Sequence, residues 1–295
     1  MMSTQLTGSS IAWRAPISDL LGDLADAGSL RFTEVVAENM TPGALPDGVI
    51  DLRARGVTIV AHGVSLGLAG ADVPDPGRLR RLAELARELE SPVVSEHIAF
   101  VRAADSPDPL HGDVLEAGHL LPPPRTRAAL TVLCDNVSRA QDAVGVPLAL
   151  ENIAALIAWP EDEFDEPDYL AEIVRRTGAQ LVLDVANLFS SAVAQGTDPL
   201  QQLLRFPLSH IAYVHTAGGR YRQGRYVDTH GDPMVDDVTT LLTQFVAGCH
   251  RARVRVPGIM LERDTDVRPE TVLPGLRAID AAIEEGRVRE VDHCA

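Results

Sequence analysis

EPDYLAEIVRRTGAQLVLDV, residues Glu166–Val185, places a helix pattern and a strand pattern side by side. Its first part is amphipathic, with Tyr169, Leu170, Ile173 and Val174 set among charged residues. Asp168 is read as helping to begin this helix, and Gly178 as ending it, because glycine tolerates the left-handed backbone of a helix C-terminus. AQLVLDV (Ala179–Val185) then runs apolar without alternation. A strand of that kind is covered on both faces, as in a parallel sheet.

The same alternation extends outward in both directions. Before it come the short apolar runs IAW (Ile11–Trp13), RFTEVVA (Arg31–Ala37), VTIVAH (Val57–His62), PVVSEH (Pro92–His97) and VPLALEN (Val146–Asn152). After it come SHIAYVH (Ser209–His215) and GIMLE (Gly258–Glu262). Further helix-like stretches cover Arg78–Glu90, Arg127–Gly145 and Met234–Ala252. Strand then helix, about eight times over, predicts an α/β fold of the (β/α)8 TIM-barrel type. The 295 residues suit one such barrel over 1–295, and no repeat or linker divides them. The least regular region, Ala103–Arg125 with five prolines, is expected as a loop over the catalytic face.

The strand ends carry the chemistry. His62, His97, Glu151, Asp184, His215 and Glu262 each close a run, Asn187 follows Asp184 by three residues, and Asp228 and His230 form an Asp-x-His pair after His215. In a barrel all strand C-termini open on one mouth. Taken singly, each residue reads as an ordinary hydrogen-bonded strand end. Nine together supply enough imidazole, carboxylate and amide for two or three ions sharing bridging carboxylates, and the set suits Fe, Mn or Zn. Glu34, Glu38 and Asn39 read as supporting or substrate contacts, or as loop caps. Arg14 reads as a carboxylate binder or a surface ion pair. His111 and His119 read as surface residues of the Pro-rich loop, His210 lies at the far end of its strand, and His250 and His293 carry no pattern. GVSLGLAG (Gly63–Gly70) lacks the Gly-Lys-Ser/Thr ending of a phosphate loop.

Composition narrows the partners. A net charge of −16 disfavours nucleic acid, whose phosphates dominate binding. Cys134, Cys249 and Cys294 form no C-x-x-C pair and are expected as reduced thiols of a cytoplasmic protein. Neither a signal peptide nor 18 consecutive apolar residues is found, so no membrane partner is expected.

On these residues the chain resembles the DUF692 family of multinuclear non-heme iron-dependent oxidative enzymes, which includes the methanobactin biosynthesis oxidase. Matching stretches are AENM (Ala37–Met40), HGVSLGLAG (His62–Gly70), SEH (Ser95–His97), LLPPPRT (Leu120–Thr126), LEN (Leu150–Asn152) and TGAQLVLDVANLFSSA (Thr177–Ala192). VHTAGG (Val214–Gly219), VDTH (Val227–His230) and LERD (Leu261–Asp264) complete a match over nearly the whole chain. The resemblance implies a barrel of the xylose isomerase/endonuclease IV kind holding two or three iron ions, in mixed Fe2+/Fe3+ states, and an O2-dependent reaction. It implies as substrate a ribosomally made precursor peptide, modified often at cysteine, and a small partner protein that captures the peptide's leader. It also implies that His62, His97, Glu151, Asp184, Asn187, His215, Asp228, His230 and Glu262 are the metal ligands. Two departures stand out: DVAN (Asp184–Asn187) for the commoner DVNN, and IAFVRAADSPDP after His97 for a more aromatic stretch.

Three other readings compete. A zinc-dependent endonuclease IV-like phosphodiester hydrolase uses a similar ligand order, but with a histidine where this chain has Asn187. A sugar isomerase with divalent ions expects Lys and Trp positions, whereas lysine is absent and Trp13 and Trp159 are the only tryptophans. A metal-storage or scaffold protein would bind peptide without turnover.

Overall fold

The computed structural model describes residues 6–104 and 114–291, so His111, His293 and Cys294 lie outside the described residues. Eight barrel strands are present: β1 (Ser9–Ile11), β2 (Phe32–Val36), β3 (Thr58–Gly63), β4 (Val94–His97), β5 (Leu148–Glu151), β6 (Gln180–Asp184), β7 (Ile211–Ala217) and β8 (Gly258–Glu262). All pairings among them are parallel, in the order β1-β8-β7-β6-β5-β4-β3-β2. The seam between β1 and β2 is drawn together where Trp13 N–H donates to Glu34 O at 2.8 Å and Thr33 Oγ1 to Ile11 O at 2.7 Å. The result is the expected (β/α)8 barrel, nearly closed.

A period of two explains both the core and the site. Phe32, Val60, Val93, Ala149, Val182, Tyr213 and Met260 pack together inside the barrel, each from or beside a different strand. Their neighbours in sequence, among them Ala61, Val94, Leu150, Leu183, Val214 and Leu261, face outward into the larger core beneath the helices. Side chains two residues apart share a face. Two residues after each interior apolar group therefore come Glu34, His62, Ser95, Glu151, Asp184, His215 and Glu262. All seven are buried, one layer nearer the mouth.

Several boundaries differ from the sequence reading. His62 and His215 lie within their strands, because β3 continues to Gly63 and β7 to Ala217. Helix Glu166–Thr177 is capped by Asp165, whose side chain accepts from the Asp168 N–H at 3.1 Å; Asp168 sits in the first turn. Gly178 ends that helix at φ 67°, as expected. The described part of the Pro-rich region contributes an antiparallel strand pair, Phe100–Ala104 with Val114–Leu121, where the sequence reading expected a loop. A second hairpin, Gly219–Arg222 with Arg225–Asp228, follows β7, so Asp228 is in a strand and not in a loop.

Candidate metal centre

Parallel register sets the first neighbours. His97 lies beside Glu151 across β4 and β5, and Asp184 beside His215 across β6 and β7. Helix Val185–Gln195 starts directly after β6, with Asp184 as its cap: Asp184 Oδ1 accepts from the Asn187 N–H at 2.7 Å. Asn187 is thereby brought to the mouth, where its Nδ2 donates to Asn152 O at 3.0 Å.

These residues form two overlapping clusters. One ligand atom each from His62, His97 and Glu151 lies within 4.8 Å of the others, and the same holds for Glu151, Asp184, His215 and Glu262. Glu151 belongs to both. Its Oε2 lies 3.7 Å from His62 Nε2 and 3.6 Å from His97 Nε2, while its Oε1 lies 3.2 Å from His215 Nδ1. Asp228 and His230 join through Glu262: His230 Nδ1 is 3.2 Å from Glu262 Oε2, and His230 Nε2 is 3.1 Å from Asp228 Oδ2. Eight of the nine residues singled out from the sequence are thus linked at the mouth, and Asn187 adjoins them through its backbone N–H on Asp184.

The donor set fits a cation. Both Glu151 oxygens, Asp184 Oδ2, Asp228 Oδ1 and His215 Nδ1 are buried and have no hydrogen-bond partner. The His215–Glu151 approach of 3.2 Å lacks hydrogen-bond alignment. Unpartnered buried carboxylate oxygens are costly, and a metal ion is the group that satisfies several at once. The proton equilibria of the metal-free site show the same crowding. Burial pushes the Asp184 carboxyl up to about 7, aided by Glu151 and Asp228. Burial disfavours charge on His97, but Glu151 and Glu96 outweigh it and hold the imidazole at about 9. His230 is driven up to about 12 against its burial by Asp228 and Glu262. Burial opposes charge on Glu262 too, yet His215 and His230 hold its carboxyl well below the usual range.

The remaining sequence candidates fall elsewhere. Arg14 pairs with Asp264 at 2.8 Å. Glu38 is exposed and accepts from the Val64 N–H, and Asn39 is exposed. His119 is exposed on the first hairpin, His210 is exposed in the turn before β7, and His250 lies in the last turn of the helix Asp236–Arg251. Glu34 carries more than the sequence reading gave it: it is fully buried in the barrel and forms a third group with His62 and Glu262. Ser95 and Tyr213, which sequence reasoning passed over, touch it or its neighbours. Counting two residues on from Val93 and two back from His215 would have found both.

A sequence profile described as "RiPP precursor modification enzyme MbnB/TglH/ChrH" matches residues 8–283. A UPF0276 protein of Streptomyces avermitilis is 49% identical over 285 residues, covering 96% of this chain but 56% of its own length. The chain therefore spans little more than half of that relative. A UPF0276 protein of Chromobacterium violaceum is 35% identical over 257 residues, 87% of this chain and 88% of its own. Among solved structures, an L-ribulose 3-epimerase superposes with a TM-score of 0.61 at 13% identity, over 99% of this chain and 98% of that one. A xylose isomerase domain protein from Planctomyces limnophilus superposes at 0.56 and 15% identity, over 95% of each chain. At such identities the likeness is one of fold alone.

Proposed function

The chain belongs to the MbnB/TglH/ChrH family of RiPP (ribosomally made, post-translationally modified peptide) precursor modification enzymes, and on that premise we propose that it is an iron-dependent, O2-using oxidase of a precursor peptide. The observation that carries the metal reading is Glu151, buried between two histidine-carboxylate clusters with both oxygens unpartnered. His62, His97, Glu151, Asp184, Asn187, His215, Asp228, His230 and Glu262 are proposed to hold two or three iron ions. Iron when bound supplies electrons to O2 and binds a substrate thiolate.

The chain's own residues do the rest. The apolar layer from Phe32 to Met260 closes the barrel floor, so the mouth is the approach that remains for a peptide. His97 donates or accepts its proton beside Glu151, and Asp184 titrates near neutrality, so the metal-free site holds protons that binding of a cation displaces. A cysteine side chain is the proposed point of modification, and a small leader-binding protein the proposed partner.

Anaerobic purification, elemental analysis and Mössbauer spectroscopy test the metal; O2 uptake with a precursor peptide tests the reaction. Coupled iron with peptide-dependent O2 consumption is expected. Zinc alone, with no activity gained on adding ferrous iron, would transfer the site to the hydrolase reading.

A further inference from the structure

Beneath the candidate ligands lies a buried line of hydrogen bonds that none of the nine accounts for. His62 Nδ1 lies 2.8 Å from Ser95 Oγ, Ser95 Oγ 2.7 Å from the Tyr213 hydroxyl, and that hydroxyl 2.5 Å from Glu34 Oε2. The same Glu34 oxygen lies 3.0 Å from His215 Nε2. All five residues are at most 2% exposed.

The proton order along this line follows from counting hydrogens. A carboxylate only accepts, so Tyr213 gives its single proton to Glu34. The Tyr213 oxygen can then only accept from Ser95, and Ser95, having spent its own proton, accepts from His62 Nδ1–H. At the other end, His215 meets a carboxylate oxygen and donates from Nε2–H. When the two imidazoles are neutral, as metal binding requires, each is left with one free lone pair: Nε2 of His62 and Nδ1 of His215. Those are the nitrogens that face Glu151, at 3.7 and 3.2 Å. Glu34 stands at the opposite edge of both rings, 3.9 Å from His62 Nδ1.

We infer that Glu34, Tyr213 and Ser95 form a proton-ordered clamp that makes His62 present Nε2 and His215 present Nδ1 to a metal beside Glu151. This rests on the metal-centre part of the proposed function. The three are positioning residues, acting through the two histidines. Outer partners of this kind choose the ring nitrogen that binds.

Zinc-loaded protein with 15N-labelled histidine gives the test, with His62 and His215 assigned through His62→Asn and His215→Asn. The expected spectrum has the proton on Nδ1 of His62 and on Nε2 of His215, and a crystal structure of the same sample shows zinc on the opposite nitrogens. Tyr213→Phe, which deletes one oxygen from the middle of the line, should weaken zinc binding about 10- to 100-fold. It should also scramble the His62 proton pattern. Zinc bound through His215 Nε2, or by Glu34 itself, overturns the clamp. So does a folded Tyr213→Phe protein with unchanged affinity and histidine spectrum. Wild-type protein that takes up no zinc or iron at the mouth instead sinks the metal reading on which the clamp depends.

Discussion

At His97, His215 and His230 the metal-free protein holds protons that ordinary histidines lose by neutral pH. His97 is raised from 6.5 to about 9 and His230 to about 12, and His215 stands well above its usual value. The carboxylates responsible, Glu151, Glu34, Glu96, Asp228 and Glu262, outweigh the burial that opposes charge. A raised folded-state pKa stabilises the metal-free protein fully below 6.5, and for His97 that contribution is lost as pH rises through about 9. A divalent ion needs these rings neutral, so its affinity should change the opposite way and increase from pH 6.5 to 9. Calorimetric titration in two buffers of different ionisation enthalpy should show net proton release on binding. Affinity that is flat over that range, with no proton released, would contradict the assignment of these histidines as ligands.

Among the elements, the hairpin after β7 governs Asp228 and His230. Gly218 precedes it: its carbonyl accepts from the His230 N–H at 3.0 Å, and Arg263 donates to the carbonyls of Gly231 and Asp232 at 2.5 and 3.2 Å. His230 itself adopts φ 48°, held there by these contacts. A methyl on Gly218 would come 1.7 Å from Asp232 O, backbone that cannot move without carrying the 228–232 segment away from the mouth. Gly218→Ala is therefore expected to reduce metal stoichiometry by the position that Asp228 and His230 serve, while the His62, His97 and Glu151 cluster still binds. Elemental analysis after gel filtration checks it, and full wild-type occupancy would refute the role given to the hairpin.

For the whole molecule, the mouth gathers buried carboxylates whose charge, without a cation, is met by protonated histidines. Glu34, Glu151 and Asp184 are essentially inaccessible to solvent, with Glu262 close beside them. Ions bound only by the folded state stabilise it by about 2.7 kcal/mol at a free concentration of a hundred times Kd. For a barrel of 295 residues that corresponds to a rise in Tm of about 4 °C. Calorimetry of chelated and metal-reloaded protein measures the difference, and equal melting points would mean that the acidic mouth is stable without a cation. The same barrel in an L-ribulose 3-epimerase and a xylose isomerase domain protein shows how little the scaffold dictates about the chemistry at its mouth.

The chain's linear pattern was enough to determine a parallel barrel, because strands covered on both faces must be apolar throughout and helices must be amphipathic. It also marked six polar residues at strand ends, where an apolar run stops on a group that needs a partner, and three more just beyond them. What it could not show is which way each residue faces, since apolar side chains on both faces erase the alternation that would reveal it. For that reason Glu34 read equally as a supporting contact or a loop cap, and Ser95 and Tyr213 drew no reading of their own. The hairpins were hidden too, because their pairing depends on residues far from the barrel pattern. Only the closed sheet decided that Glu34, Ser95 and Tyr213 lie in one interior layer, since neighbours across a barrel come from distant strands and meet only when the sheet curls shut.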